Sequence, residues 1–362
     1  MNEDEMARLC HIGFGPVLAQ RALAGQAALP VTAQPMRVLE VHRETLRLHR
    51  GDAEIRARTL PRAMRALEEH GLALAAGDWV LTAVDEHGAW WVHARLEPMS
   101  HLARRDGDGR VHALVSNVDT ALLLMGLDDD FNLRRLERFL ALVQGGGVQP
   151  VIVLTKADLA AADPARMSAR LEALRARVPG RTEVFVVNAK AGEAAVALTP
   201  YLNAGQTLVL LGSSGAGKST LTNTLLGGSV QDTGAVRASD HRGQHTTTSR
   251  CMFLLPGGAC VIDTPGVRTL SPADGDASLA ASFSDIETLR MNCRFRDCTH
   301  AQEPGCAVRE GLDADRLRNY HKLLREVRRD TMSALQRREQ VGEWKARGKA
   351  AHARLKAKRG EA

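Results

Sequence analysis

Gly212-Ser-Ser-Gly-Ala-Gly-Lys-Ser-Thr220 follows the apolar run Thr207-Leu-Val-Leu-Leu211 and precedes Leu221-Thr-Asn-Thr-Leu-Leu226. Strand, tight glycine loop and helix are written in that order. Gly212, Gly217, Lys218 and Ser219 stand at the G-x-x-x-x-G-K-S spacing. Such a loop, running from Gly212 through Ser213, Ser214, Gly215, Ala216 and Gly217 to Thr220, turns backbone N–H groups inward as a cradle for phosphate oxygens. The helix end behind it adds a positive partial charge. Lys218 is expected to reach the β- and γ-phosphates, and the Ser219 hydroxyl to ligate Mg²⁺.

Three further stretches suit the same ligand. Val151-Ile-Val-Leu-Thr155 is a strand, and Lys156-Ala-Asp158 follows it. Thr-Lys-x-Asp is a close variant of the Asn-Lys-x-Asp box, whose carboxylate takes hydrogen bonds from guanine N1–H and the exocyclic amine. Asp158 is that carboxylate, and the stem of Lys156 lies along the base. Val184-Phe-Val-Val187 leads to Asn188-Ala189-Lys190, a variant of Ser-Ala-Lys in which a backbone N–H reads guanine O6. Asp263-Thr-Pro-Gly266 follows the strand 259–262. Asp263 would hold Mg²⁺ through water, and the Gly266 N–H would sense the γ-phosphate. Between these lies Gly243-Gln-His-Thr-Thr-Thr-Ser249, where Thr246 or Thr247 is placed to complete the magnesium shell. Val267 occupies the position of the usual catalytic glutamine, which leaves His245 as the nearest residue to orient water.

The order is unusual. The base box and Asn188-Ala189 come before the phosphate loop, the threonines and Asp-x-x-Gly come after it, and the domain reads as circularly permuted. Apolar runs at 112–116, 121–126, 150–154, 183–187, 207–211 and 259–262 alternate with helical patterns at 133–144, 165–177, 193–202 and 218–226. That alternation predicts a parallel α/β sheet with its ligand beyond the carboxyl ends of the strands. In this order the γ-phosphate-sensing stretch 263–270 feeds straight into the C-terminal region.

Cys293, Cys298, His300 and Cys306 form C-x4-C-x-H-x5-C, the donor set of a closed tetrahedral structural zinc site. Cys10, Cys251 and Cys260 are scattered and read as small apolar residues. Arg290, Arg294 and Arg296 beside the cluster suit either a nucleic-acid surface or plain solvation. Residues 313–330 and 331–358 read as helices rich in Arg and Lys.

Ahead of the sheet, the stretches 36–42, 45–49, 52–58, 79–84 and 90–96 alternate apolar and polar residues between turn signals, which predicts a small β-barrel. Trp79, Trp90, Trp91, Arg56 and Arg58 either form a stacking face for nucleic acid or divide between barrel core and solvent. Residues 1–34 read as a polar, weakly helical extension, and 101–110 as a charged linker. With 362 residues, 44% apolar and 25% charged, the chain has the composition of a soluble protein of two or three domains. The acidic start and the lack of any membrane-length apolar run point to a cytoplasmic protein without a membrane contact. The net charge is +6, and residues 340–362 carry seven Lys/Arg against two Glu. That tail fits an RNA contact or a solvated helix end equally well.

The permuted order, Gly243-Gln-His-Thr-Thr-Thr248, Asp263-Thr-Pro-Gly266 and the cysteine spacing together resemble the family of ribosome-small-subunit-dependent GTPase A. Ser116-Asn-Val-Asp119, Glu303-Pro-Gly-Cys-Ala-Val308 and Tyr320 match it as well. The resemblance spans residues 36–330 and implies an OB-fold barrel (36–105), a circularly permuted GTPase domain (106–272) and a helical zinc-binding domain with a basic tail (273–362), after an N-terminal extension (1–35). It implies a monomeric GTP hydrolase that uses GTP/GDP with Mg²⁺ and one structural Zn²⁺. Its partners would be the small ribosomal subunit and its rRNA, with hydrolysis stimulated by the subunit during late assembly. His245 carries over as the water-orienting residue. Two other readings stay open from the residues alone. One is an ATP-dependent enzyme on the same loop; the other is an RNA-binding module with a structural nucleotide site.

Overall fold

The computed structural model describes residues 2–26, 29–105, 111–178, 180–228, 250–264 and 275–331. Two helices open the chain, α1 (Glu3–His11) and α2 (Pro16–Gln26). Asn2 and Glu5 form a reciprocal capping box at the start of α1. These helices are more than a polar extension. Leu9, Ile12, Phe14 and Leu18 are buried, and the Phe14 ring lies 4.7 Å from that of Trp79. Leu9 lies in α1 and Leu18 in α2, with Ile12 and Phe14 in the turn between them, so both helices and their connection contribute to the core.

The barrel is β1 (Gln34–Val41), β2 (Leu46–His49), β3 (Glu54–Thr59), β4 (Trp79–Val84) and β5 (Trp90–Arg95), with α3 (Pro61–Glu69) between β3 and β4. It closes in the order β1-β2-β3-β5-β4, and β3 pairs with β5 in parallel. This is the OB arrangement. Met36, Val38, Leu48, Val80 and Val92 fill its interior. Trp79 is fully buried against Phe14 and is core, not a stacking platform. Trp90 and Trp91 are half-buried, and Arg56 and Arg58 are exposed.

The expected linker begins as a strand. β6 (His101–Arg105) pairs antiparallel with β7 (Val111–Ser116), so the 112–116 run belongs to this hairpin and not to the main sheet. Asn117 turns the chain with φ 53° into the first sheet strand.

The sheet contains β8 (Thr120–Gly126), β9 (Gln149–Thr155), β10 (Glu183–Val186), β11 (Thr207–Gly212), β12 (Cys251–Leu254) and β13 (Cys260–Asp263), in the order β10-β9-β8-β11-β13-β12. Only β12 runs antiparallel. Every residue of β8 and β11 is buried, because helices cover both faces of the sheet. The crossovers are α4 (Leu133–Gly145), α5 (Ala157–Ala160), α6 (Pro164–Arg175), α7 (Glu193–Ala197) and α8 (Lys218–Leu226). The helix expected over 193–202 stops at 197 and continues as a 3₁₀ turn at Thr199–Tyr201, which carries Pro200. The chain moves outward from β8 through β9 to β10, then returns to β11 beside β8. The crevice at the carboxyl ends of β8 and β11 is therefore the topological switch point.

The C-terminal unit is α9 (Gly275–Ser282), α10 (Ser284–Arg290), α11 (Ala307–Gly311) and α12 (Ala314–Thr331). Its core is Leu279, Phe283, Ile286, Val308, Leu323 and Val327, and Ala141 of α4 joins it. Buried Arg316 of α12 bonds Glu137 of α4 at 2.7 Å and Asp285 of α10 at 2.7 Å. The unit is thus docked on a helix of the sheet.

Candidate nucleotide site and cysteine–histidine cluster

The phosphate loop leaves β11 and enters α8 at Gly217, whose φ of +90° suits glycine. Lys218 is buried, and its ammonium donates to the carbonyls of Gly212 at 3.1 Å and Ser213 at 2.8 Å. Burial lowers its pKa, while the nearby Asp263 and Asp130 carboxylates oppose that shift. The ammonium is thus parked within the loop, where a triphosphate offers a stronger partner. Ser219 Oγ donates to Asp263 Oδ2 at 3.1 Å, bringing together two of the hard oxygen donors expected for magnesium. Thr264, next to Asp263, donates its hydroxyl to the Leu210 carbonyl at 2.7 Å and so ties the ends of β13 and β11 together.

Side-chain hydrogen bonds fasten the base side to the phosphate side. Thr155 Oγ1 donates to the Ala216 carbonyl at 2.8 Å. Lys156 has a left-handed backbone, φ 61°, and its ammonium lies 2.6 Å from Asp128. Asp158 is exposed at the start of α5. Asn188 Oδ1 accepts the Lys190 N–H at 3.1 Å, so this side chain shapes its own loop. The Ala189 carbonyl accepts the Thr224 hydroxyl of α8 at 2.6 Å, which joins that loop to the helix of the phosphate loop. Thr155, Lys156, Asp158, Asn188, Ala189, Gly212–Thr220 and Asp263 therefore lie around one crevice. His245, Thr246, Thr247 and Gly266 lie outside the described residues.

Two participants had escaped the sequence reading. Asp128 and Asp130 leave β8 in the turn Leu127-Asp-Asp-Asp130. Asp130 accepts the hydroxyl of Ser213 in the phosphate loop and pairs with Arg135 of α4 at 2.6 Å. Acidic residues after a strand look like ordinary solvated turn residues. Only the sheet order, which puts β8 between β9 and β11, brings them to the crevice.

The second constellation is Cys293, Cys298, His300 and Cys306, whose ligand atoms all lie within 4.8 Å of one another. Cys293 Sγ is 3.9 Å from Cys306 Sγ and 3.6 Å from His300 Nδ1, and Cys306 Sγ is 3.4 Å from that nitrogen. A tetrahedral zinc ion sets edges of roughly 3.8 Å between sulfurs and roughly 3.6 Å from sulfur to nitrogen. The donor set fits that ion. Glu303 folds the loop, accepting the Thr299 hydroxyl and the N–H groups of Thr299, Ala301 and Gln302; the bond from the Thr299 hydroxyl, with backbone N–H bonds beside it, holds its carboxyl down at about 2. Beside the cluster lies a cavity of about 850 Å³ rimmed by Arg290, Arg296, Arg309, Arg318, Arg325 and Arg328.

A family model described as RsgA GTPase matches residues 95–272. The small ribosomal subunit biogenesis GTPase RsgA of Xanthomonas axonopodis pv. citri (strain 306) is 45% identical over 305 residues, covering 82% of this chain and 81% of the relative. The protein of the same name from Xanthomonas euvesicatoria pv. vesicatoria (strain 85-10) matches equally, 45% over 305 residues with 82% and 81% covered. Among solved structures, YjeQ from Thermotoga maritima superposes with a TM-score of 0.59 at 24% identity, covering 82% of this chain and 98% of that one. YloQ, described as a circularly permuted GTPase, gives 0.56 at 21% identity, covering 83% and 97%. These two likenesses concern the fold, and they agree with the permuted order read from the motifs.

Proposed function

The chain belongs to the RsgA GTPase family, and from that premise we propose that it is a factor in biogenesis of the small ribosomal subunit, which it binds and which stimulates its GTP hydrolysis. The relatives carry that role in their names. The observation that carries the site is the Thr155–Ala216 bond at 2.8 Å, which joins base box and phosphate loop into one crevice across the permuted order.

In this reading Asp158 selects guanine, and the loop N–H groups with Lys218 take the phosphates. Ser219 and Asp263, with Thr247, hold Mg²⁺, which neutralises charge on the β- and γ-phosphates when bound. His245 orients the attacking water, and the Gly266 N–H senses the γ-phosphate. Cys293, Cys298, His300 and Cys306 hold a structural zinc ion. The exposed arginines beside that cluster and Arg56 and Arg58 of the barrel supply charge for rRNA phosphates. The protein acts as a monomer on the subunit. Among the described residues, no helix is long and apolar enough to cross a membrane.

Phosphate release from GTP, measured with and without purified small subunits, tests the reading. The expected outcome is slow hydrolysis alone and at least about tenfold acceleration with subunits, in keeping with partner-stimulated GTPases. Equal rates in the two arms would overturn the partner assignment.

A further inference from the structure

β8 lies between the base-box strand β9 and the phosphate-loop strand β11, so the turn that leaves it sits at the switch point of the sheet. Asp128 in this turn serves the base side. Its Oδ2 is 2.6 Å from Lys156 Nζ, and its Oδ1 accepts the Asp130 N–H at 3.2 Å. Both carboxylate oxygens are therefore held. The pair passes over Gly126, where an added Cβ would stand 2.4 Å from Asp128 Oδ1 and 3.4 Å from Lys156 Cδ. Glycine is what leaves room for it. Lys156 is fixed at its other end by its left-handed backbone, φ 61°, a conformation few residues with a side chain adopt. Both side chains remain partly open, Lys156 at 28% and Asp128 at 33%, and Asp158, two residues after Lys156, is exposed.

A lysine laid along a flat base gives up most of its rotamer freedom. A carboxylate that already holds its ammonium removes part of that loss from the binding step. We propose that Asp128 is a positioning residue of the guanine site, holding Lys156 extended so that its methylene stem is in place before the nucleotide arrives. This rests on the guanine reading of Thr155–Asp158. Asp128 acts only through Lys156, and the choice of base stays with Asp158.

The test is a fluorescence titration of the full chain with a labelled GDP, using Asp128→Asn, Asp128→Glu, Lys156→Ala and the Asp128→Asn/Lys156→Ala pair, each first shown to melt as the unmodified chain does. Asp128→Asn is expected to weaken GDP binding about five- to twentyfold, as for loss of a charge-assisted hydrogen bond in a half-buried pair. Asp128→Glu should recover most of that loss. With Lys156→Ala already present, Asp128→Asn should add nothing. Affinity within about twofold of the unmodified chain for Asp128→Asn, or the same loss with and without Lys156, overturns the inference. If the unmodified chain fails to bind GDP, the guanine reading itself fails and the inference falls with it.

Discussion

Thr155 stands where the guanine box more often carries asparagine, and its hydroxyl reaches the Ala216 carbonyl at 2.8 Å. The substitution in the motif therefore keeps a donor at the point where base box and phosphate loop meet. Thr155 and Ala216 are both fully buried, so removing the donor leaves an acceptor without a partner. Thr155→Val, which keeps shape and volume, should cost about 1–3 kcal/mol of stability and weaken nucleotides of every base alike. Urea unfolding without nucleotide and titration with GDP and inosine diphosphate check both parts. At this scale the phosphate loop, Thr155–Asp158 and Asp263, which the structure brings to one crevice, were legible as candidates, because phosphate and guanine recognition demand particular residue types at fixed spacing. Asp128 and Asp130 were not, since their significance depends on which strands flank β8. Trp79 illustrates the converse. An aromatic residue in a barrel strand suits either a binding face or a core, and Phe14, from the turn between α1 and α2 far ahead in sequence, makes it core.

At the scale of elements, α4 does more than cross between β8 and β9. Arg135 in its first turn pairs with Asp130, which also holds Ser213 of the phosphate loop. Two residues on, Glu137 accepts from Arg316 and Asn319 of α12. Arg138 meets Glu326 of α12 at 2.7 Å. The sequence order points to 263–270 as the link between the γ-phosphate and the C-terminal unit, and residues 265–270 of it lie outside the described residues. The docking of α12 on α4 is a second connection, formed by side chains distant in sequence. The C-terminal unit has a small apolar core, so its stability should lean on the zinc ion proposed for Cys293, Cys298, His300 and Cys306. Stripping the metal with a chelator should release one zinc ion per chain and lower the helix signal of α9–α12, while GDP still binds. Metal analysis with circular dichroism follows the first two, and a retained helix signal after complete metal removal would count against a structural ion. Cysteine spacing announced this cluster because a tetrahedral donor set needs few residues, all close in the chain.

For the whole molecule, the joint between barrel and sheet centres on Arg37 of β1, which is fully buried. Its guanidinium donates to the Ile12 carbonyl behind α1, to the Asn117 carbonyl at 2.9 Å and to Thr207 Oγ1 at 2.8 Å. Burial lowers its pKa, against the pull of Cys260, Asp119 and Asp78. Asp119 in turn accepts the Thr207 N–H at 2.8 Å, which gives Ser116-Asn-Val-Asp119 a structural task at the end of the sheet opposite the phosphate loop. Arg37→Met should destabilise the chain by at least about 3 kcal/mol, because three buried acceptors lose their donor. Hydrogen exchange should show α1, α2 and the barrel opening ahead of the sheet; uniform opening would argue against a local joint. The sequence alone determined the class of every large part. Alternation of period two marked the barrel, buried apolar runs marked the parallel strands, and the motif order marked the permutation. Each of these is a local property of the chain. The tertiary structure alone decided what joins the parts: Arg37 between helices, barrel and sheet, Glu137 with Arg316 between sheet and C-terminal unit, and Asp128 with Lys156 between the ends of β8 and β9. Such residues look like ordinary charged residues until folding sets them against distant partners, and no local pattern records which of them will meet.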